Sequence, residues 1–572
     1  MASAAARSLA RHELFAGLPA DALGALAERM RPRTFTAGEA LCRAGEPGDA
    51  LFLVLEGLAR VSLPGAEERP VARLRRGDVI GEMALVTGEP RTATAVAAVP
   101  TTALELSRDD LAAVIGEHPQ VLANLNRILS RKLAATTARV ERPRTRGEAV
   151  ALLAGESLGA VVPTLVAAAA AASPGSVSSL EAGPAPEGTI AMLDDALLEH
   201  RTVIVVAPPE PQLVGPLVDE VDRAVAVVSR GAELERVRAC LPAGTLVEVV
   251  AAPEADERGR LLAAATPATP VVRWATREDG GLAGDDSAWV GRHLARTKLG
   301  LALGAGGAKG YAHVAMLHAL ESAGYVVDVV AGSSIGAIVG AWLAQGRSAA
   351  EVEATMREAW RPEAIADIFK LSLGGGSTGL DTMTRILRET TDDETFADLV
   401  VPLVVMTVDL DARRAAPVTD GPLWQALLAA TALAGMFPPH ERDGRRLVDG
   451  IALVPVPVDA AVEAGADVTV SVNIISRRTL PAWPGEQPPS EEPRGRSRML
   501  DALLEVMDLA QLDASERHAA RADVVVTPAF GPSSWRDFHL ADLFLEAGRE
   551  AAENGLEELR SLARPQLSAT ST

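Results

Sequence analysis

The sequence predicts a multidomain protein with three parts: an N-terminal β-roll with flanking helices, a central α/β layer, and a C-terminal α/β layer with a mainly parallel sheet. Three observations predict it. Short strands separated by Gly, Pro and Asp turns fill residues 8–107; strands begin to alternate with helices from residue 149; and residues 299–341 hold two successive strand-to-helix junctions, each closed by a glycine-bearing turn. A chain of 572 residues, 48% of them hydrophobic, is long enough to bury several cores. The expected boundaries are a first domain with its C-terminal helix over 8–140, a linker over 141–148, an α/β layer over 149–290 and a second α/β domain over 298–475. A disordered loop over 476–498 and closing helices over 499–565 complete the chain.

The formal net charge of -21 argues against a protein that grips nucleic acid through its phosphates. Only Cys42 and Cys240 occur, far apart and without a histidine cluster, so neither a disulfide framework nor a zinc site is expected, and no metal is called for. A reducing, cytoplasmic location follows. The N-terminus lacks a sustained apolar core, and the apolar run at 158–172 is short and broken by Pro163, so neither a signal peptide nor a membrane span is predicted.

Within the β-roll, Gly81-Glu82-Met83-Ala84 opens a short helical turn and Arg91 returns nine residues after the glutamate, followed by Thr92 and Ala93. A cyclic phosphate needs one delocalised cation plus backbone amides, and a ribose hydroxyl needs a carboxylate acceptor. Residues 8–135 resemble a cyclic-nucleotide-binding domain, and residues 81–93 its phosphate-binding cassette. That resemblance implies that Arg91 holds the cyclic phosphate and Glu82 the ribose 2′-hydroxyl, with Gly81, Ala84, Thr92 and Ala93 supplying the remaining contacts. The regulatory ligand is expected to be cAMP ahead of cGMP. The plainer reading is a relic roll in which Arg91 and Glu82 pair across a turn. Residues 111–140 are helix-periodic and basic towards their end, yet a linker follows rather than a helix-turn-helix, which removes the DNA-binding reading.

Residues 149–286 alternate strands and helices. The segment His200-Arg201-Thr202-Val203-Ile204-Val205-Val206 resembles the core strand of ATPases that position division and partition proteins. The first strand, however, leads into Ala154-Gly155-Glu156-Ser157-Leu158-Gly159, without the Gly-Lys-Ser/Thr that would cradle phosphate. A spacer that hydrolyses no nucleotide is expected.

In the last domain the strand at 299–303 ends in Gly304-Ala305-Gly306-Gly307-Ala308-Lys309-Gly310. The dinucleotide fingerprint fails, because Lys309 stands where its third glycine belongs; the P-loop fails, because Gly310 and Tyr311 follow Lys309. The next strand ends in Gly332-Ser333-Ser334-Ile335-Gly336. A Gly-x-Ser-x-Gly turn between strand and helix is the setting of a nucleophile elbow, and the amide-rich turn upstream can face it. A third element, Arg446-Leu447-Val448-Asp449-Gly450, ends a later strand.

Together these three elements resemble the patatin-like phospholipases, nearest in arrangement to the bacterial relatives of neuropathy target esterase, which also carry cyclic-nucleotide-binding domains. The resemblance implies a Ser-Asp dyad. Ser334 would attack an acyl carbonyl, Asp449 would take its proton, and the amides of Gly306, Gly307 and Ala308 would hold the oxyanion. Departures from the family pattern are Ala305 and Lys309 in the turn and Ile451 and Val454 after Asp449. An aspartate of ordinary pKa, about 3.9, is a poor base at neutral pH, so Asp449 is expected to be buried. The expected activity is hydrolysis of phospholipid or lysophospholipid esters at a membrane surface, with peripheral attachment and no required cofactor. One alternative is a Ser-Asp-His esterase using His518 or His539; another is a nucleotide-sensing scaffold with an inactive module. His313 and His318 are expected to be surface or packing residues rather than a metal pair, His440 to lie in a loop, and residues 362–377 to form a lid.

Overall fold

The computed structural model describes residues 15–566, apart from stretches of which 63–71, 82–89, 125–146, 369–377 and 484–497 are the longest, and some shorter ones beside them. Two compact units emerge: residues 1–147 with 183–199, and residues 148–182 with 200–572.

In the first unit two four-stranded antiparallel sheets form a roll. One has the order Arg31–Phe35, Thr101–Ser107, Ala50–Glu56, Val79–Ile80; the other has the order Ala40–Cys42, Thr94–Ala97, Leu58–Ser62, Ala72–Arg75. Alternation along Ala50–Glu56 explains how the layers pack. Phe52 and Val54 point into the roll against Phe35, Ala95 and Ala103. Leu51 and Leu53 point the other way, against Leu26 of the Ala20–Arg29 helix and Leu111 and Val114 of the Arg108–Glu117 helix. Ser107 caps the latter helix by accepting the Asp110 N–H at 3.2 Å.

The second unit begins with a six-stranded parallel sheet in the order Val177–Glu181, Thr202–Ala207, Glu148–Ala154, Arg223–Val228, Glu248–Ala251, Val271–Trp274. Runs such as Thr-Val-Ile-Val-Val-Ala are buried along their whole length, as parallel strands covered on both faces must be. The Gly284–Ala295 helix then leads into a second sheet.

The strands of that second sheet are numbered here in chain order: β1 (Leu299–Leu303), β2 (Val327–Ser333), β3 (Leu403–Asp409), β4 (Arg414–Val418), β5 (His440–Arg442), β6 (Arg445–Asp449), β7 (Val468–Val472) and β8 (Val524–Val526). Strands β3, β2, β1, β7 and β8 run parallel; β4 and β6 each pair antiparallel with β3, and β5 pairs antiparallel with β6.

Register on β3 builds the site. β4 covers residues 405–409 of β3 and β2 covers 403–406, so these two overlap and must lie on opposite edges. β6 covers 407–409, overlaps β4 and therefore shares the edge with β2. Two strands thus meet tip to tip on one edge, with Ser333 beside Met406 and Asp449 beside Thr407.

One expectation changes here. The loop expected to be disordered from residue 476 starts out ordered: Thr479 bridges Phe530, and buried Trp483 packs on Phe530 and Phe544 while its Nε1–H donates to the Pro532 carbonyl at 3.2 Å. An apolar ring of that size close to an aromatic pair outweighs the prolines around it. The proline-rich remainder at 484–497 lies outside the described residues, as do the end of the basic helix and 369–377 of the expected lid.

Candidate active site

Ser334 follows β2 directly and caps the Ile335–Ala344 helix with φ 54 and ψ -124, a backbone conformation unusual for any residue with a side chain. The sharp turn is possible because the flanking positions are small. A Cβ at Gly336 would stand 2.2 Å from the Leu303 carbonyl oxygen, so the helix approaches β1 only with glycine there. Gly332, the other small residue of the motif, lies in β2 just before the turn.

Across the junction, the Ser334 hydroxyl donates to Asp449 Oδ2 at 2.7 Å. Asp449 Oδ1 accepts the Ile451 N–H at 2.9 Å, across the turn that Gly450 opens. Asp449 is 4% exposed. Burial pushes its carboxyl up to about 7, with the Ile451 amide and the Ser334 hydroxyl opposing that rise only in part. The carboxylate that looked too acidic in the sequence is tuned to the neutral range.

The glycine turn, bracketed by Gly304 and Gly310, lies beside this pair. Gly304 N–H donates to Val472 at 3.1 Å, and Ala305 N–H donates to Pro455 at 2.9 Å. Gly307 has φ 57, and a Cβ there would stand 2.4 Å from the Trp535 carbonyl oxygen. The Ala308 N–H donates to that same carbonyl at 2.7 Å. Ala308 is therefore corrected as an oxyanion donor, because its amide is committed inside the fold. The N–H groups of Gly306 and Gly307 donate to no group among the described residues. Lys309 places Nζ 5.4 Å from the centre of the Phe530 ring.

Ser334, Asp449, Gly306, Gly307 and Lys309 line one cavity of about 480 Å³. Most of its wall is apolar, including Trp360, Ile368, Met383, Met436, Phe437 and Phe538. Among the described residues no histidine lines it. His313 is buried with Nε2 2.8 Å from the Gly304 carbonyl, and His318 pairs with Glu353 at 2.9 Å. His440 falls in β5 rather than in a loop. Among the described residues no cluster of His, Cys, Asp or Glu could hold a metal ion.

Residues 301–462 match the family model of the patatin-like phospholipases, and residues 32–118 that of the cyclic nucleotide-binding domain. The chain carries a patatin-like phospholipase domain. Patatin-like phospholipase domain-containing protein 6 of Homo sapiens is 26% identical over 528 residues, covering 77% of this chain and 37% of that protein. An uncharacterized NTE family protein of Mycobacterium tuberculosis is 31% identical over 214 residues, covering 37% of this chain and 58% of that protein. The chain thus spans little more than a third of the human relative's length. Among solved structures, the catabolite activator protein of Thermus thermophilus is 34% identical, covering 22% of this chain and 60% of that one, at a TM-score of 0.21.

In the cyclic nucleotide-binding domain, Arg91 is 7% exposed and its Nη2 donates to the Ala50 carbonyl. Its Nε and Nη1 meet no hydrogen-bond partner among the described residues. Gly81 stands against it with φ 93, and a Cβ there would stand 1.8 Å from Nη1. Ala93 is part-buried just before the Thr94–Ala97 strand, whereas Glu82, Ala84 and Thr92 lie outside the described residues.

Sequence reasoning missed the parts of the patatin-like domain that come from its far end. Trp535 closes the glycine turn from outside, and Phe538 and Leu509 line the cavity. A Trp, Arg and Phe cluster after a glycine-proline turn at 531–538 was the available signal, but nothing in it specifies a partner as far back as Ala308.

Proposed function

We propose that the protein is a serine esterase of phospholipids or lysophospholipids, with Ser334 as nucleophile and Asp449 as its base. The observation that carries this reading is the 2.7 Å contact between Ser334 Oγ and Asp449 Oδ2 at the wall of an apolar cavity. As Ser334 Oγ bonds to the acyl carbonyl carbon, its proton passes to Asp449, and the carbonyl oxygen becomes an oxyanion facing the Gly306 and Gly307 amides. Collapse expels the alcohol, which takes the proton back from Asp449, leaving an acyl ester on Ser334. A water then attacks that ester, giving one proton to Asp449, and the free acid leaves as the proton returns to Ser334. A Ser-Asp-His relay does not suit this site, since the carboxylate already touches the hydroxyl and an imidazole would have to stand between them. An intact pair also weighs against the inactive-scaffold reading.

The apolar wall suits an acyl chain, and Leu509, 66% exposed at the cavity, suits contact with a lipid surface. Among the described residues no helix is long and apolar enough to cross a membrane, so attachment in this reading is peripheral. Buried Arg91, whose Nε and Nη1 meet no partner among the described residues, and Gly81 beside it suit a cyclic phosphate, so the esterase is read as regulated by cyclic nucleotide, with cAMP tested before cGMP.

A serine-directed phosphonate ester tests the chemistry. Peptide mapping by mass spectrometry is expected to place the adduct on Ser334 and to show less of it after incubation with lysophospholipid; an adduct elsewhere, or none, contradicts the reading. Calorimetry with cAMP and cGMP, on wild type and Arg91→Ala, tests the ligand.

A further inference from the structure

The middle sheet poses a separate question: what occupies its ligand crevice. Open α/β sheets bind ligands beyond the carboxyl ends of their strands, where neighbouring strands send the chain in opposite directions. Here strand Glu148–Ala154 sends the chain towards the Val177–Glu181 edge, while its neighbour Arg223–Val228 sends it towards the Val271–Trp274 edge. Right-handed crossovers then put the following helices on opposite faces and open a crevice between the two loops. Those loops are Gly155-Glu156-Ser157 and Ser229-Arg230-Gly231.

We propose that this crevice is an anion site filled by the chain's own Glu233, whose carboxylate stands where a phosphoryl group would sit. Glu233 is 1% exposed. Its Oε1 accepts from the Ser157 hydroxyl at 2.7 Å, the Ser157 N–H at 3.2 Å and Arg230 Nη2 at 3.3 Å. Its Oε2 accepts from the Ser229 N–H at 2.8 Å, and the Ser229 hydroxyl beside it donates to the Ser157 hydroxyl at 2.6 Å. Donors from both loops thus converge on one carboxylate, as they would on phosphate. Gly155 completes the cradle, because a Cβ there would stand 2.6 Å from Glu233 Oε2. Burial alone would raise this carboxyl, but the hydrogen bonds from Ser157 and Ser229 outweigh it and bring it down to about 2. A permanently charged internal anion closes the sheet to external phosphate and ties its two central loops together.

The experiment uses full-length protein, inorganic phosphate as probe, and equilibrium dialysis with thermal melting at constant ionic strength in chloride or phosphate. Glu233→Ala is expected to bind one more phosphate per chain than wild type and to melt at a temperature that rises with phosphate, while wild type does not respond; the Arg91 site is common to both and cancels. Glu233→Gln keeps the bulk but turns amide hydrogens towards the donors, so it should gain no phosphate and melt below wild type. Equal phosphate binding by Glu233→Ala and wild type overturns the proposal. So does a Glu233→Ala protein that is unfolded in chloride and not rescued by phosphate, or a Glu233→Gln protein that melts like wild type.

Discussion

His313 Nε2 lies 2.8 Å from the Gly304 carbonyl, at the point where β1 turns into the glycine loop beside Ser334. Burial holds this imidazole down to about 4, so it is neutral at working pH, and facing a carbonyl it must carry its hydrogen on Nε2. The bond fixes the carbonyl two residues before the Gly306 amide, which donates to no group among the described residues. His313→Leu is expected to lower kcat on the order of 10²-fold, the effect of a small misplacement at a reacting centre, with little change in KM. His313→Gln, which can donate from nearly the same place, should recover most of it. Equal losses in two variants that melt alike would remove His313 from the positioning of the turn.

Asp449 makes a prediction about pH. Its carboxyl titrates near 7 in the folded protein and near the ordinary 3.8 when unfolded, so kcat/KM is expected to rise through pH 7 as the base ionises. Stability moves the opposite way. Between those two values the folded state holds a proton that the unfolded state has released, so stability falls as pH rises and is lowest above 7. The difference corresponds to up to roughly 4 kcal/mol. Asp449→Asn removes that penalty and should melt above wild type at pH 8, with the gap closing towards pH 4. A variant that melts below wild type at pH 8 would contradict the buried-base account.

How far the sequence carries is clearest at this pair. Ser334 and Asp449 are legible because a Gly-x-Ser-x-Gly turn and a strand-ending Asp-Gly are local patterns whose backbone needs small residues. Their meeting is not legible, since it depends on β6 taking over the edge of β3 where β2 stops. For the same reason Ala308 looks like a free amide in the sequence, and only the distant Trp535 carbonyl shows otherwise. The middle sheet could be read as lacking a P-loop, but Glu233 looks like any helix-surface acid until the strand order brings it against Ser157.

Gly81 and Arg91 give a prediction confined to the first unit. A methyl group at Gly81 would displace the buried guanidinium, so Gly81→Ala is expected to weaken cyclic nucleotide binding by at least about tenfold, the loss of one charged hydrogen bond. Calorimetry with cAMP reads it, and unchanged affinity contradicts the placement of Arg91 at the phosphate.

Arg292 and Asp328 form a buried, two-pronged ion pair, with Nη2 to Oδ1 at 2.8 Å and Nε to Oδ2 at 2.9 Å. Asp328 also accepts the Leu299 N–H at 3.0 Å, and Arg292 reaches Gln566 at 2.8 Å, so one pair joins the Gly284–Ala295 helix, β1, β2 and the last described residue. Asp328→Ala leaves a buried cation alone and should cost about 3 to 5 kcal/mol. Breaking the exposed Arg385–Glu389 pair with Glu389→Ala should cost under about 0.5 kcal/mol. Chemical denaturation measures both, and similar losses would contradict the assignment of Arg292 and Asp328 as a tie through the core.

The dyad is tested most directly by steady-state release of fatty acid from lysophospholipid by wild type, Ser334→Ala and Asp449→Asn, each shown to be folded by its melting curve. Turnover by wild type with losses on the order of 10⁴-fold in both variants is the predicted result. Turnover that survives either substitution would contradict the central claim that Ser334 attacks and Asp449 takes its proton.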